Sequence, residues 1–365
     1  MGLEPAPQRK RARFHPLTVR EVRRLTEDSI EVTFDVPEEF ADNYDYEPGQ
    51  YLALRMNLNG RELRRSYSIC AVPVPGELRV AIKRDLGGEF STWANESLTA
   101  GTVIDVMSPQ GTFTTEVAPD TNRHYAAIAA GSGVTPIMSL ARTILRASPN
   151  TQFSLIYSNR TANDVMFLEE LADLKDRYPA RFQVVHVLSR ESQEVELLSG
   201  RLDGPRLARI LEALMPPNQV DQWFLCGPQQ LLVELRETLT GLGVPASRVH
   251  AELFHADPVP RVPVQALTGT AEGAARVTIR LDGRSSSLEL RPDGVPVLEA
   301  ALDVRADLPF ACKGGVCGTC RARLVSGTVA MDANYALEPD EIERGYVLTC
   351  QSHPTSAEVE LDFDG

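Results

Sequence analysis

The sequence predicts a multidomain fold with three parts in series: an antiparallel β-barrel or sandwich, an α/β doubly wound parallel sheet, and a smaller α+β domain. Three observations predict it. Short alternating runs separated by turn residues fill 14–118, and strand-like and helix-like runs alternate over 119–256. The stretch DPVPRVPVQALTGTAEGAA (257–275) then reads as a semi-extended linker ahead of 276–365. Residues 1–13, with Arg9, Lys10, Arg11 and Arg13, form a basic tail expected to be disordered.

In the first part the expected strands are Phe14–Val22, Ile30–Val36, Tyr51–Leu58, Arg65–Ile69 and Leu78–Lys83. Pro48-Gly49, Asn59-Gly60 and Pro75-Gly76 supply the turns between them. In the second part Tyr125–Ala129 is an apolar strand and Pro136–Arg146 a helix; Phe153–Tyr157 is a strand and Asp164–Arg177 an amphipathic helix. Phe182–Leu188, Pro205–Leu214, Trp223–Cys226 and Gln229–Leu239 continue the alternation, which demands parallel strands with helical crossovers. In the third, Arg276–Leu281 and Ser286–Leu290 make a hairpin across Asp282-Gly283, and Pro296–Val304 a helix.

Charge narrows the function. With 37 basic and 50 acidic residues the chain carries −13 at pH 7, which disfavours nucleic-acid and anionic-membrane partners. No apolar run follows the N-terminal basic residues, as a secretory signal would require. The longest uncharged stretch, Tyr125–Ala141, is broken by Gly131, Gly133 and Pro136 and is too short to span a bilayer. A soluble, cytoplasmic protein is expected.

Four of the six cysteines, Cys312, Cys317, Cys320 and Cys350, crowd the C-terminal part, which points to a metal or cluster site in a reducing compartment. Cys312-Lys-Gly-Gly-Val-Cys317-Gly-Thr-Cys320 is C-x4-C-x2-C, the plant-type [2Fe–2S] spacing, with Cys350 as fourth ligand. Gly314, Gly315 and Gly318 let the loop bend around a cluster, and its N–H groups can reach sulfur. A structural zinc site is the alternative, although zinc more often takes paired C-x2-C and only one such pair is present. The hairpin followed by a helix is the β-grasp order of plant-type ferredoxins.

Further motifs precede it. Arg65-Ser66-Tyr67-Ser68, Lys83-Arg84-Asp85-Leu86-Gly87-Gly88-Glu89-Phe90-Ser91 and Pro109-Gln110-Gly111 occur in that order. Gly131-Ser132-Gly133-Val134-Thr135-Pro136 follows a strand and opens a helix, and Cys226-Gly227-Pro228 ends a later strand. With these motifs the first two parts resemble the ferredoxin–NADP reductase family, with a plant-type ferredoxin fused behind. The resemblance implies a flavin-binding β-barrel and an NAD(P)-binding sheet. It implies that Tyr67 packs on the isoalloxazine of FAD, Ser68 bonds near the flavin N5, and Arg65 pairs with the pyrophosphate. Lys83, Gly88 and Ser91 fall in the segment whose helix N-terminus holds FAD phosphates.

Gly131, Gly133, Thr135 and Pro136 match the family's G-x-G-x-T-P phosphate loop, with Thr135 also near the flavin. The resemblance implies that Cys226, with Gly227 and Pro228, lines the nicotinamide pocket, and that Glu252 and Phe254 fall on the reductase module's last strand, with Phe254 near the flavin face. Cys70 lacks such a motif and is expected in the core. Catalytic roles therefore fall to Ser68, Cys226 and Glu252. Arg160, after Phe153–Tyr157, and Ser189-Arg190, after Phe182–Leu188, favour the 2′-phosphate of NADPH over NADH.

The order of parts is that of reductase components of multicomponent oxygenases. RRSYSIC, AAGSGVTP and DLPFACKGG look most like the reductases of phenylacetyl-CoA epoxidase, over Phe14 to the end. The partner implied is a di-iron oxygenase complex acting on phenylacetyl-CoA; steroid and aromatic-ring oxygenases are the alternatives. A non-catalytic iron–sulfur or zinc assembly protein is the alternative of another class. From Gly273 onward 15 acidic residues face 9 basic ones, a net of −6 suited to a basic partner face.

Overall fold

The structure, a computed structural model, describes residues 12–119, 121–254 and 273–364. The basic tail, apart from Ala12 and Arg13, and most of the expected linker lie outside the described residues. The chain divides into two compact units, 1–254 and 255–365. Among the described residues no helix is long and apolar enough to cross a membrane.

The first unit opens with six antiparallel strands: β1 (Phe14–Thr26), β2 (Ser29–Asp35), β3 (Tyr51–Leu58), β4 (Arg61–Ser68), β5 (Glu77–Lys83) and β6 (Val103–Met107). Their order is β4-β3-β6-β1-β2-β5. The outer strands meet through an antiparallel bridge between Ile69 and Val80, so the sheet closes as a barrel rather than a sandwich. Alternation drives it: Leu78, Val80 and Ile82 of β5 enter the core beside Leu17, Val32 and Leu52. Strand β6 escapes sequence reading, being five residues long. Its Ile104 and Val106 are buried while Asp105 pairs outward with Arg55 at 3.0 Å.

The second half of this unit runs β7 (His124–Ala130), α2 (Val134–Ala147), β8 (Gln152–Asn159), α3 (Leu168–Arg177) and β9 (Phe182–Leu188). It continues with α4 (Gly204–Leu214), β10 (Gln222–Gly227), α5 (Gln229–Gly241) and β11 (Val249–Leu253); α1 (Glu89–Ser97) lies earlier, on the barrel. The strands are parallel in the order β11-β10-β7-β8-β9. Successive crossovers thus go one way from β7 and the other way to β10, and the switch point lies between the C-terminal ends of β7 and β10. Successive β7 residues feed opposite cores: Tyr125 and Ala127 join that of α2 and α3, Ala126 and Ile128 that of α4 and α5. Helix α3 starts later than expected. Asp164 is spent capping Thr161 in a short turn, and Phe167 takes φ 59 just before the helix.

The second unit contains β12 (Ala275–Leu281), β13 (Arg284–Leu290), α6 (Val297–Leu302), β14 (Arg321–Ser326) and β15 (Val329–Met331). It ends with α7 (Pro339–Glu343), β16 (Tyr346–Leu348), β17 (Ser352–Pro354) and β18 (Glu358–Asp362). The main sheet is ordered β13-β12-β18-β14-β16, with β12 and β18 parallel, and α6 packs into its core through Val297, Leu298 and Ala301. This is the expected β-grasp. Asp282 and Gly283 at the hairpin tip have φ 57 and 65, the two positive values of a type I′ turn.

Candidate functional site

In the first unit the motifs converge on the seam between barrel and sheet. Arg65 is exposed on β4, its Nη1 donates to the Arg64 carbonyl at 2.7 Å, and among the described residues no carboxylate pairs with it. A guanidinium left open in this way suits a phosphate. The Tyr67 ring is half-buried and backed by Phe90 of α1 at 5.8 Å between centroids, with Trp93 behind Phe90 at 5.6 Å. Burial pushes its phenol upward against the opposing Arg65 charge, so it remains protonated at neutral pH. Between them Ser66 Oγ is buried without a hydrogen-bond partner. An orphaned hydroxyl flanked by an open arginine and a braced aromatic plane fits a bound flavin nucleotide. Ser66 was not among the expected site residues; its only signal is its place inside R-x-Y-S.

Two expected FAD residues are turned to the protein itself. Lys83 Nζ lies 2.8 Å from Asp28 Oδ1. Ser91 Oγ accepts from the Asp85 N–H at 3.0 Å and donates to the Gly88 carbonyl at 3.2 Å. Ser91 thus shapes the 85–88 loop at the start of α1 rather than presenting a free hydroxyl.

The three expected catalytic residues come together. Ser68 Oγ, on the barrel, donates to Glu252 Oε2, on the sheet, at 3.3 Å. Glu252 is the β11 partner of Cys226 on β10. The Cys226 thiol is fully buried, and burial, then the Glu252 charge, push it well above the ordinary thiol range. It therefore stays a neutral thiol. Phe254 stands just past β11, 38% exposed.

The two glycines of the 131–136 loop serve different ends. Gly131 has φ 54 and open space around it, and its carbonyl accepts from Tyr157 OH at 3.0 Å. Gly133 is there for the chain: a Cβ would lie 2.2 Å from the Cys226 carbonyl oxygen. Gly227 likewise approaches Ala130, and Pro228 caps α5. Thr135 Oγ1 donates to the Ser132 carbonyl at 3.0 Å. Pro136 sits in the first turn of α2, where a missing N–H costs no helical bond. Both motif loops thus lie at the switch point, where such sheets take their ligands.

The nucleotide-specificity candidates also meet. Ser189 N–H donates to the Asn159 carbonyl at 2.9 Å and Arg190 N–H to that of Arg160 at 2.8 Å, so the loops after β8 and β9 run side by side. Both arginines are exposed, and among the described residues neither has a carboxylate partner. The Glu191 carboxylate instead accepts from the Ala162 N–H at 2.8 Å.

Barrel and sheet are joined by bonds that no motif announces. Ser139 Oγ of α2 donates to the Ala71 carbonyl at 2.6 Å, which also accepts from Tyr46 OH within the barrel at 3.2 Å, and Arg142 reaches the Cys70 carbonyl at 3.2 Å. Cys70 is buried as expected, within the core built on α2.

In the second unit the four clustered thiols group two by two, Cys312 with Cys317 and Cys320 with Cys350. Hydrogen bonding from Cys312, opposed by burial and helped by Thr319, lowers Cys317 to about 6. The bond from Cys320 lowers Cys350 in the same way, while Cys312 and Cys320 are raised. Sulfur also collects donors from the loop. Gly314 and Cys317 N–H reach Cys312 Sγ at 3.3 and 3.4 Å, and Thr319 Oγ1 reaches Cys317 Sγ at 3.2 Å. Two pairs fit two irons with two thiolates each. Among the described residues no three His, Cys, Asp or Glu side chains are grouped as a single ion would require.

Comparisons with known proteins agree part by part. Residues 16–115 match the oxidoreductase FAD-binding domain, 127–236 the oxidoreductase NAD-binding domain, and 279–355 the 2Fe-2S iron-sulfur cluster binding domain. The chain is 43% identical over 351 residues to one of the subunits of 1,2-phenylacetyl-CoA epoxidase from Escherichia coli K12, covering 96% of this chain and 98% of that one. It is 32% identical to the ferredoxin reductase component of 3-ketosteroid-9-alpha-monooxygenase from Rhodococcus rhodochrous, covering 95% and 96%. Phthalate dioxygenase reductase, a solved structure, superposes with a TM-score of 0.58 at 25% identity, covering 96% of this chain and 98% of its own. With all three domains matched in order and relatives aligned over nearly their full length, the chain belongs to the family of oxygenase reductase components that unite FAD, NAD and [2Fe–2S] domains in one polypeptide.

Proposed function

We propose that the chain draws electrons from NADPH and delivers them, by way of FAD and a [2Fe–2S] cluster, to the di-iron oxygenase of a phenylacetyl-CoA epoxidase. The observation that carries the reductase reading is the Ser68–Glu252 bond, which brings the barrel motif and the last sheet strand to one point beside Cys226. When bound, FAD takes a hydride as an electron pair and releases electrons singly, and the cluster carries one at a time.

The chain's own residues do the rest. Tyr67, braced by Phe90, offers the plane for the flavin ring, and Arg65 offers its guanidinium to the pyrophosphate. Ser68 would set a neutral hydroxyl beside the reacting nitrogen, and Glu252, its partner at 3.3 Å, holds that hydroxyl in place. The buried Cys226 thiol shapes the nicotinamide side while excluding water. Arg160 and Arg190, adjacent through their backbones, supply two cations for a 2′-phosphate, which favours NADPH. Cys312, Cys317, Cys320 and Cys350 hold the cluster.

The pathway reading rests on the full-length likeness to the epoxidase protein of Escherichia coli, and the docking reading on the −6 charge from Gly273 onward. The test is a visible spectrum of the purified protein titrated with NADPH and NADH, then a coupled assay with candidate oxygenases. Flavin and cluster bands that bleach with NADPH before NADH are expected, followed by coupling to a phenylacetyl-CoA epoxidase that slows as salt rises. A colourless zinc protein overturns the reductase reading. Coupling to a steroid oxygenase alone overturns the pathway.

A further inference from the structure

We propose that Gln351 is a positioning residue of the cluster, its side-chain amide tying the cysteine loop to the fourth ligand and donating to that ligand's sulfur. The inference rests on the assignment of Cys312, Cys317, Cys320 and Cys350 as ligands. Gln351 follows Cys350 directly, and its backbone is fixed on both sides. Its N–H donates to the Leu348 carbonyl at 2.9 Å, and its carbonyl accepts from Asp332 at 2.9 Å.

From there Nε2 lies 3.0 Å from the Lys313 carbonyl, 3.0 Å from the Cys350 carbonyl and 3.6 Å from Cys350 Sγ. All three neighbours accept, so the amide must present its nitrogen, and the sulfur shares one of the two hydrogens with a carbonyl. Gly315 N–H also serves Cys350. The aliphatic stem packs over Gly315, where a Cβ would lie 3.1 Å from Gln351 Cγ.

Lys313 explains why a tether is needed. It is a non-glycine residue at φ 54, a left-handed conformation that its own side chain disfavours and that its surroundings must hold. Its side chain is held by Glu299 at 2.6 Å and its carbonyl by Gln351. One side chain therefore spans from the loop carrying three ligands to the turn between β16 and β17 carrying the fourth. Reduction adds negative charge to the cluster, so a donor on a ligand sulfur stabilises the reduced form more than the oxidised one.

The experiment uses the full chain with its cofactors. Gln351→Met keeps the length and removes both donors; Gln351→Glu keeps the shape and adds a negative charge. Each is followed by an EPR-monitored redox titration of the cluster and by its rate of loss to an iron chelator, with far-UV circular dichroism against wild type as the folding control. In Gln351→Met the reduction equilibrium should fall about three- to tenfold, which is about 30–60 mV at about 59 mV per decade. Chelator loss should quicken several-fold, and Gln351→Glu should lie lower still. Loss of the cluster from both variants with the circular dichroism unchanged also supports the tether. A potential and loss rate unchanged in either cluster-bearing variant overturns the proposal and leaves the ligand assignment intact. A wild-type protein without a [2Fe–2S] signal overturns both.

Discussion

Replacing Gly133 with alanine isolates what the 131–136 loop owes to its own packing. The residue sits at φ −60 and ψ −9, which alanine adopts freely, so any cost comes from contact alone. The added Cβ would lie 2.2 Å from the Cys226 carbonyl oxygen and 2.6 Å from its carbon. Restoring ordinary contact needs a displacement of about 1 Å. Neither neighbour can yield cheaply, because both atoms are main chain on a strand paired to Ala129 on one side and Glu252 on the other. Overpacking of this kind costs about 1–3 kcal/mol.

The same displacement parts the two loops at the switch point, and a misplacement of about 1 Å lowers a positioned reaction roughly 100-fold. Stopped-flow absorbance of flavin reduction by NADPH, on protein with full FAD content, measures it. Melting should fall by about 2–4 °C for each kcal/mol in a unit of this size. Gly131→Ala is the contrast: its φ of 54 costs about 1–2 kcal/mol but the added atom meets nothing within 4 Å. If Gly133→Ala reduces its flavin within threefold of wild type, or if Gly131→Ala is the slower of the two, the packing account fails.

Other substitutions test the site piece by piece. Ser68→Ala removes the 3.3 Å bond to Glu252 and should slow flavin reduction by up to about tenfold with FAD content unchanged, read by the same stopped-flow traces. Arg190→Ala should raise KM for NADPH by about 10- to 100-fold while leaving that for NADH alone, which steady-state kinetics with both nucleotides will report. Asp28→Asn addresses the Lys83 pair. Burial raises the Asp28 pKa, but hydrogen bonds from Lys83 and Thr26 and the Lys83 charge leave it below its ordinary 3.8. A depressed folded value means the pair stabilises above pH 3.8 and is lost as pH falls through the lower folded value. The variant should melt about 1 kcal/mol less stably at pH 7, and thermal scans should show the gap closing towards pH 3.

Much of the fold is written in the chain at short range. Leu78, Val80 and Ile82 alternate as a strand must, Asp282-Gly283 names its own turn, and the C-x4-C-x2-C spacing declares its cluster. Other features have no local signature. Strand β6 is five residues with an acid at its centre, so its periodicity is too brief to stand out. Asp164 belongs to a cap because Thr161 lies three residues before it, although its place in an amphipathic run resembles a helix start. At the site, motif order placed Ser68, Cys226 and Glu252 together, yet Lys83 and Ser91 turn inward to Asp28 and Gly88. The sequence carries donor types, whereas which acceptor each one meets is settled by packing.

Where α2 meets the barrel at Cys70 and Ala71, the joint is asymmetric. Its acceptors are the carbonyls of Cys70 and Ala71, which other small residues at those positions would present equally well. Two of its donors, Ser139 and Arg142, are side chains of the nucleotide half, each irreplaceable in length and chemistry. Substitution is thus nearly free on one side of the joint and costly on the other. Over evolutionary time the barrel edge at 70–71 can drift, while the face of α2 that grips it must stay as it is.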